Sequence, residues 1–176
     1  MKYSIQEISL GLLKTILLLL VLEIVTTAVL PMFDITSFKP NFNILIVLFL
    51  AFKLNTPLLA FIILIVQYVH SAFSIEGWAM GTFTGVFISV LVQYIKDQLN
   101  FSSAASTIIV VQIFQLIWIV IGTVMLCFKM EDFSSFLTLM WHHVPESIFL
   151  SILSPFFFRL LDGFWHVNRR SSGVAY

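Results

Sequence analysis

Residues 8–30 read ISLGLLKTILLLLVLEIVTTAVL, and this one run decides which solvent the chain folds in. It is longer than the roughly 7–15 apolar residues of a secretory signal. It carries Lys14 and Glu23, and it ends in Val29-Leu30-Pro31 without a small-x-small cleavage site. A bilayer core takes roughly 20 residues of helix, so the run is expected to be a retained first span. The rest of the chain agrees. Of its 176 residues 60% are hydrophobic and only 10% charged, where soluble domains carry about 25% charge, and the mean hydropathy is +1.04. Nine Lys and Arg balance nine Asp and Glu, which leaves no basic excess for binding nucleic acid. The expected solvent is the lipid bilayer.

Further apolar segments lie between short polar or turn clusters, and six spans are expected, at 8–30, 41–52, 56–73, 77–96, 104–128 and 144–161. The second is short, because 42–52 supplies only about 11 apolar residues against a minimum near 17. It either starts inside the interface after Pro40 or is shielded by its neighbours. Between the fifth and sixth spans Phe133, Phe136, Leu137 and Met140 recur at helical spacing beside Glu131, Asp132, Ser134 and Ser135. That pattern fits a short interfacial amphipathic helix, or the first turns of a longer, proline-kinked last span. The expected fold is all-α, a compact bundle of about six transmembrane helices over 1–165, followed by a short basic tail at 166–176. With the N-terminus inside, Lys2, Lys53, Lys96, Arg159, Arg169 and Arg170 fall on the inner face and Lys39 and Lys129 on the outer. This excess favours an N-in, C-in multi-pass topology.

Several features invite a functional reading. Gly77, Gly81, Gly85 and Ser89 recur every four residues on the fourth span, a stripe that lets another helix come close in a medium where dispersion contacts hold helices together. The approaching helix belongs to the same chain, a partner or a second copy. Gln67 and His70 on the third span, and Gln112 and Gln115 on the fifth with Gly122 beyond them, carry polar groups that must find partners in hydrocarbon. They either bond between helices or line a polar ligand pocket. Glu23, with Thr26 and Thr27 a turn on, is an intramembrane acid and so a functional candidate; Lys14, nine positions earlier and on the opposite face, is near enough to the interface to snorkel.

His142-His143-Val144-Pro145-Glu146 is the cluster that most resembles an enzyme site. His142 and Glu146 share a helix face and are potential zinc ligands. No third ligand is near in sequence, however, and the order is not that of a helical zinc protease. A helix start with Glu146 in its first turn, favoured by the helix dipole, is the simpler expectation. Cys127 is the single cysteine, which excludes an internal disulfide, and reads as a small buried apolar residue. Neither a Gly-x-Ser-x-Gly nucleophile turn nor a phosphate-binding glycine loop is present. The chain is expected to be non-enzymatic and to hold no cofactor or metal.

The C-terminal stretch His143-Val144-Pro145-Glu146-Ser147-Ile148-Phe149-Leu150-Ser151-Ile152-Leu153-Ser154-Pro155-Phe156-Phe157-Phe158-Arg159-Leu160-Leu161-Asp162 resembles the last span of the rod-shape-determining MreD family. There a Leu-Pro start, small residues, an Ala-Pro, apolar residues and a basic tail follow one another; Pro145, Pro155, Arg159, Arg169 and Arg170 fit. Lys39-Pro40-Asn41 before Ile44-Leu45-Ile46-Val47-Leu48 resembles that family's Arg-Pro-Asp opening of the second span. Glu76-Gly77 resembles its Leu-Gly after a polar turn. The third span departs from the pattern, carrying Gln67, Tyr68 and His70 where family members often have an Asp.

The resemblance implies a non-enzymatic inner-membrane scaffold of the bacterial cell-elongation (rod) complex. Its partners would be MreC and, through it, MreB filaments and the enzymes of side-wall peptidoglycan synthesis. A second family of similar fold, the substrate-binding S-components of energy-coupling-factor vitamin transporters, would make Gln67, His70, Gln112 and Gln115 ligand contacts. Such components often dock their transport partner through an Ala-x-x-x-Ala pattern on the first span, where this chain has Gly11 and Thr15.

Overall fold

The structure, a computed structural model, describes residues 5–34, 39–54, 56–74, 77–98 and 103–165. The basic tail at 166–176, with Arg169 and Arg170, lies outside the described residues, as do Lys2 and Glu76. Six helices follow one another, and no strand occurs among the described residues. We label them α1 (Ile5–Ile24), α2 (Phe42–Lys53), α3 (Leu59–Ser71), α4 (Gly77–Ile95), α5 (Ala104–Met130) and α6 (Phe136–Trp165). α1 continues through a π-helical turn at Val25–Val29 into Leu30–Met32. The π turn has a local cause, since Pro31 has no N–H to return to the preceding turn and both Thr26 Oγ1 and Thr27 Oγ1 donate to the Glu23 carbonyl.

Four of the helices are long and apolar enough to cross a bilayer: α1 with its extension (Gln6–Met32), α4, α5 and α6. The chain is a helical membrane protein with several spans. α2 and α3 are apolar but shorter, at 12 and 13 residues, which is about 18–20 Å of helix. α2 tolerates its length because it does not face lipid. Asn43 through Ala51 are all buried, and α2 packs against each of the other five helices. It is shielded on every side, the second of the two explanations offered for its shortness. Phenylalanines fill the space around it, with Phe49 and Phe52 against Phe158 at 5.6 and 6.3 Å and Phe42 against Phe157 at 6.0 Å.

α1 is built inside out relative to a soluble helix. Gly11, Thr15, Leu19 and Glu23, four residues apart, are buried, while Leu10, Leu13, Leu17, Val21 and Ile24 point outward. Where lipid is the solvent, small and polar groups are what turn inward. Gly11 is needed there, because a Cβ at this position would lie 2.8 Å from the Trp165 ring. That indole in turn donates to Thr15 Oγ1 at 3.0 Å, which ties the first helix to the end of the last.

Two expectations need correction. Residues 133–143 do not form a separate interfacial helix: α6 runs unbroken from Phe136 to Trp165 with Pro145 and Pro155 inside it, so the longer, proline-containing last span is the one present. In consequence Glu146 does not sit in a first helical turn. It is buried two turns further on, because Phe136 and Met140 start the helix early by continuing the apolar period.

Candidate functional site

The polar residues of the spans separate into two groups. One is helix packing. Gln67 accepts from Asn43 Nδ2 at its Oε1 (3.1 Å), and the same amide lies against α4. A Cβ at Gly81 would meet Gln67 Oε1 at 2.8 Å, and one at Gly85 would meet Gln67 Nε2 at 3.0 Å and Ile63 Cγ2 at 3.2 Å. The glycines therefore admit a polar side chain of this chain's own α3. Ser89, further along the stripe, is buried and donates to the Val86 carbonyl. Gly77 is different, with a positive φ of 77° that suits the turn into α4, and among the described residues nothing lies within 4 Å of where its Cβ would be. Gln112 on α5 donates to Ser147 Oγ on α6 at 3.0 Å. On the far side of α4, Gln93 Nε2 caps the end of α2 by donating to the carbonyls of Ala51 and Leu54 at 2.9 and 3.1 Å.

The other group surrounds a cavity of about 380 Å³, close to the roughly 300 Å³ lower limit of small-molecule sites. It lies between the later half of α1, the start of α2, the end of α3, the second half of α5 and the first half of α6. By chain direction this is the end opposite the N-terminus. Glu23 and His70 form its inner wall. The carboxylate is 4% exposed and its Oε1 lies 2.6 Å from His70 Nδ1. Nε2 of His70 is buried without a partner. Sequence spacing gave no sign of this pair, which joins residues 47 positions apart.

Glu146, 7% exposed, lines the α6 side of the cavity. Its Oε1 accepts the Lys39 backbone N–H at 3.0 Å and its Oε2 lies 3.4 Å from His143 Nδ1. Lys39 Nζ donates to the Phe73 carbonyl at 3.0 Å, so the segment entering α2 is pinned to both α3 and α6. His142, also on the wall, stacks edge-on to His143 with ring centres 5.6 Å apart. The carboxylates thus form two separate pairs, Glu23 with His70 and Glu146 with His143. Among the described residues no set of three or more His, Cys, Asp or Glu is placed to hold a metal ion.

The α5 wall is a stripe at helical spacing: Gln115, Trp118, Ile119, Gly122, Thr123 and Leu126. Gln115 is fully buried, and neither its Oε1 nor its Nε2 has a partner. Trp118, 2% exposed, likewise has an unpartnered Nε1, and so does Asn41 at Oδ1. Trp118 and Asn41 were not foreseen from sequence, although Trp118 follows Gln115 by three positions and the stripe could have found it. Lys14, by contrast, lies away from the cavity and only partly buried on α1, and Cys127 is buried in the helix interior of α5. Compared with known proteins, the chain matches no family model, no curated protein and no solved structure.

Proposed function

We propose that this chain is a non-enzymatic inner-membrane scaffold of the bacterial cell-elongation complex, of the MreD kind. On this reading it helps maintain cell shape and side-wall peptidoglycan synthesis through contacts with MreC. One observation carries the proposal. Two of the segments that carry the resemblance, the looser Lys39-Pro40-Asn41 and the start of the C-terminal stretch at His143 to Glu146, lie together in the fold. They meet through the hydrogen bond from the Lys39 N–H to Glu146, which joins the start of α2 to α6. A pattern whose parts support one another in three dimensions is stronger than its parts. The outward faces of α1, α4, α5 and α6 carry large apolar side chains such as Leu17, Phe87, Ile113 and Phe156, a surface suited to lateral contact with a membrane partner as well as to lipid.

Capture of the tagged chain from mildly solubilised membranes, followed by mass spectrometry, tests the proposal. MreC-like and wall-synthesis proteins in the eluate are the expected result. Recovery of paired ATPases with a large membrane coupling subunit would overturn it in favour of the second reading, a transporter S-component. The cavity and its unpartnered Gln115 favour that second reading. Against it, Gly11 and Thr15, at the place where such a component would dock, are occupied by Trp165.

A further inference from the structure

The cavity holds five buried polar atoms without a partner: Gln115 Oε1 and Nε2, Trp118 Nε1, His70 Nε2 and Asn41 Oδ1. Buried polar groups in folded proteins are nearly always satisfied, and leaving them bare is unfavourable, more so at membrane depth. Of the ten such atoms among the described residues, these five belong to residues lining this one cavity, and the other five are on Asn43, Gln67, Thr82, Ser151 and Asp162. The charged groups there are already engaged, Glu23 by His70, Glu146 by the Lys39 N–H, and Lys39 Nζ by a carbonyl. Lys39 keeps its charge, but the unpartnered buried amides and indole are neutral. Gln115 offers a donor and an acceptor side by side, and the Trp118 N–H lies one turn along the same helix face. Around them the walls are apolar, with Ile44, Phe73, Ile119, Leu126, Leu139 and Leu150.

We infer that this cavity is a binding site for a small uncharged molecule with a planar amide-type edge and an apolar body. Such an edge, a hydrogen-bond donor beside an acceptor, pairs at two points with the Gln115 carboxamide, as primary amides pair with each other. An aromatic or aliphatic ring then lies against the apolar wall. An anion would meet two carboxyl groups, Glu23 and Glu146, against the single lysine, Lys39. A hydrocarbon would leave the amide and indole bare. The site does not depend on which machinery the chain belongs to, since a scaffold and a transport component could equally carry it.

Benzamide is the direct probe, titrated into the purified full-length chain while tryptophan fluorescence and thermal unfolding are followed. Expected are a saturable response and a raised unfolding temperature. Affinity for benzoate and for toluene should be at least about tenfold weaker, the scale of one lost hydrogen bond in a closed site. Gln115→Met, which keeps volume and loses the amide, should weaken benzamide about tenfold while toluene is unaffected. No saturation with benzamide would mean that water alone fills the cavity and would overturn the inference. Equal binding of toluene would also overturn it, as mere apolar partitioning. The comparison of the three probes on the unaltered chain stands even if Gln115→Met fails to fold. Neither result touches the capture experiment above, so the site and the scaffold reading fail independently.

Discussion

Adding a single methyl group at Gly81 tests whether the glycine stripe serves the chain's own packing. In Gly81→Ala the new Cβ would lie 2.8 Å from Gln67 Oε1, closer than carbon and oxygen tolerate. Gln67 has little room to retreat, because that same oxygen accepts from Asn43 on α2 and its Nε2 faces Gly85. Overpacking of this kind costs about 1–3 kcal/mol, and a lost interhelical hydrogen bond in a membrane protein costs about 0.6 kcal/mol more. The better helix propensity of Ala returns about 1 kcal/mol. The net loss is about 0.6–2.6 kcal/mol, a factor of roughly 3 to 80 in the folding equilibrium. Unfolding in detergent micelles measures it. Gln67→Ala removes the obstructing amide, so in that background the cost of Gly81→Ala should vanish or change sign, which is the coupling a double-mutant cycle isolates. An unchanged cost in the Gln67→Ala background would refute the packing argument. Full stability of Gly81→Ala together with lost recovery of MreC-like proteins would place a partner helix on the stripe instead.

Gly11→Ala presses a methyl group to 2.8 Å from the Trp165 ring and should lower the unfolding temperature, with Trp165→Leu in the same chain relieving it. Glu131 ends α5 in the left-handed region at φ 55°, where glycine carries no penalty, so Glu131→Gly should stabilise the chain by about 1 kcal/mol in the same unfolding assay. Asp132, in the connection before α6, accepts from the Ser134 hydroxyl and N–H and from the Ser135 hydroxyl, bonds that hold its carboxyl below the usual range. A depressed value means the contribution is present above the unfolded-state pKa and fades as pH falls through the folded one. Protection of the Ser134 amide, its exchange rate measured against that of a free amide at the same pH, should accordingly fall below about pH 4, and Asp132→Asn should remove that pH dependence. Glu23→Leu leaves His70 without its hydrogen-bond partner in a buried wall and should cost about 1–3 kcal/mol, whereas Glu23→Leu with His70→Leu should recover most of the loss.

How far the fold could be read follows from what lipid asks of a helix. Length and apolarity are properties of one segment, so the long runs that became α1, α4 and α5 were legible to within a few residues at most of their ends. The start of the last span was not, because Pro145 reads as a helix opening when only the local pattern is considered. In α6 the turns before it are held by Phe136, Leu139 and Met140, and the helix passes through the proline at the expense of one backbone hydrogen bond. α2 was legible as apolar but not as central. Its burial on all sides depends on five other helices, and no window of 11 residues carries that information.

The site divides along the same line. That Glu23, His70, Gln115 and Glu146 must turn inward follows from the price of bare polar groups in hydrocarbon, and sequence sufficed for it. Which of them meet is a matter of helix rotation and depth. Gln67 and His70, three residues apart on α3, illustrate the limit. They differ by about 300° around the helix, equivalent to 60° the other way, and that rotation sends Gln67 between α2 and α4 and His70 into the cavity beside Glu23. Hence one amide is spent on holding helices together while Gln115, two helices later, has nothing to hold. A polar residue in a span is structural when its rotation brings it to another helix's polar group, as with Gln67 and Asn43 or Gln112 and Ser147. Where the rotation brings it to a void lined by other unsatisfied atoms, the void needs an occupant, and the donors and acceptors left over define its chemistry.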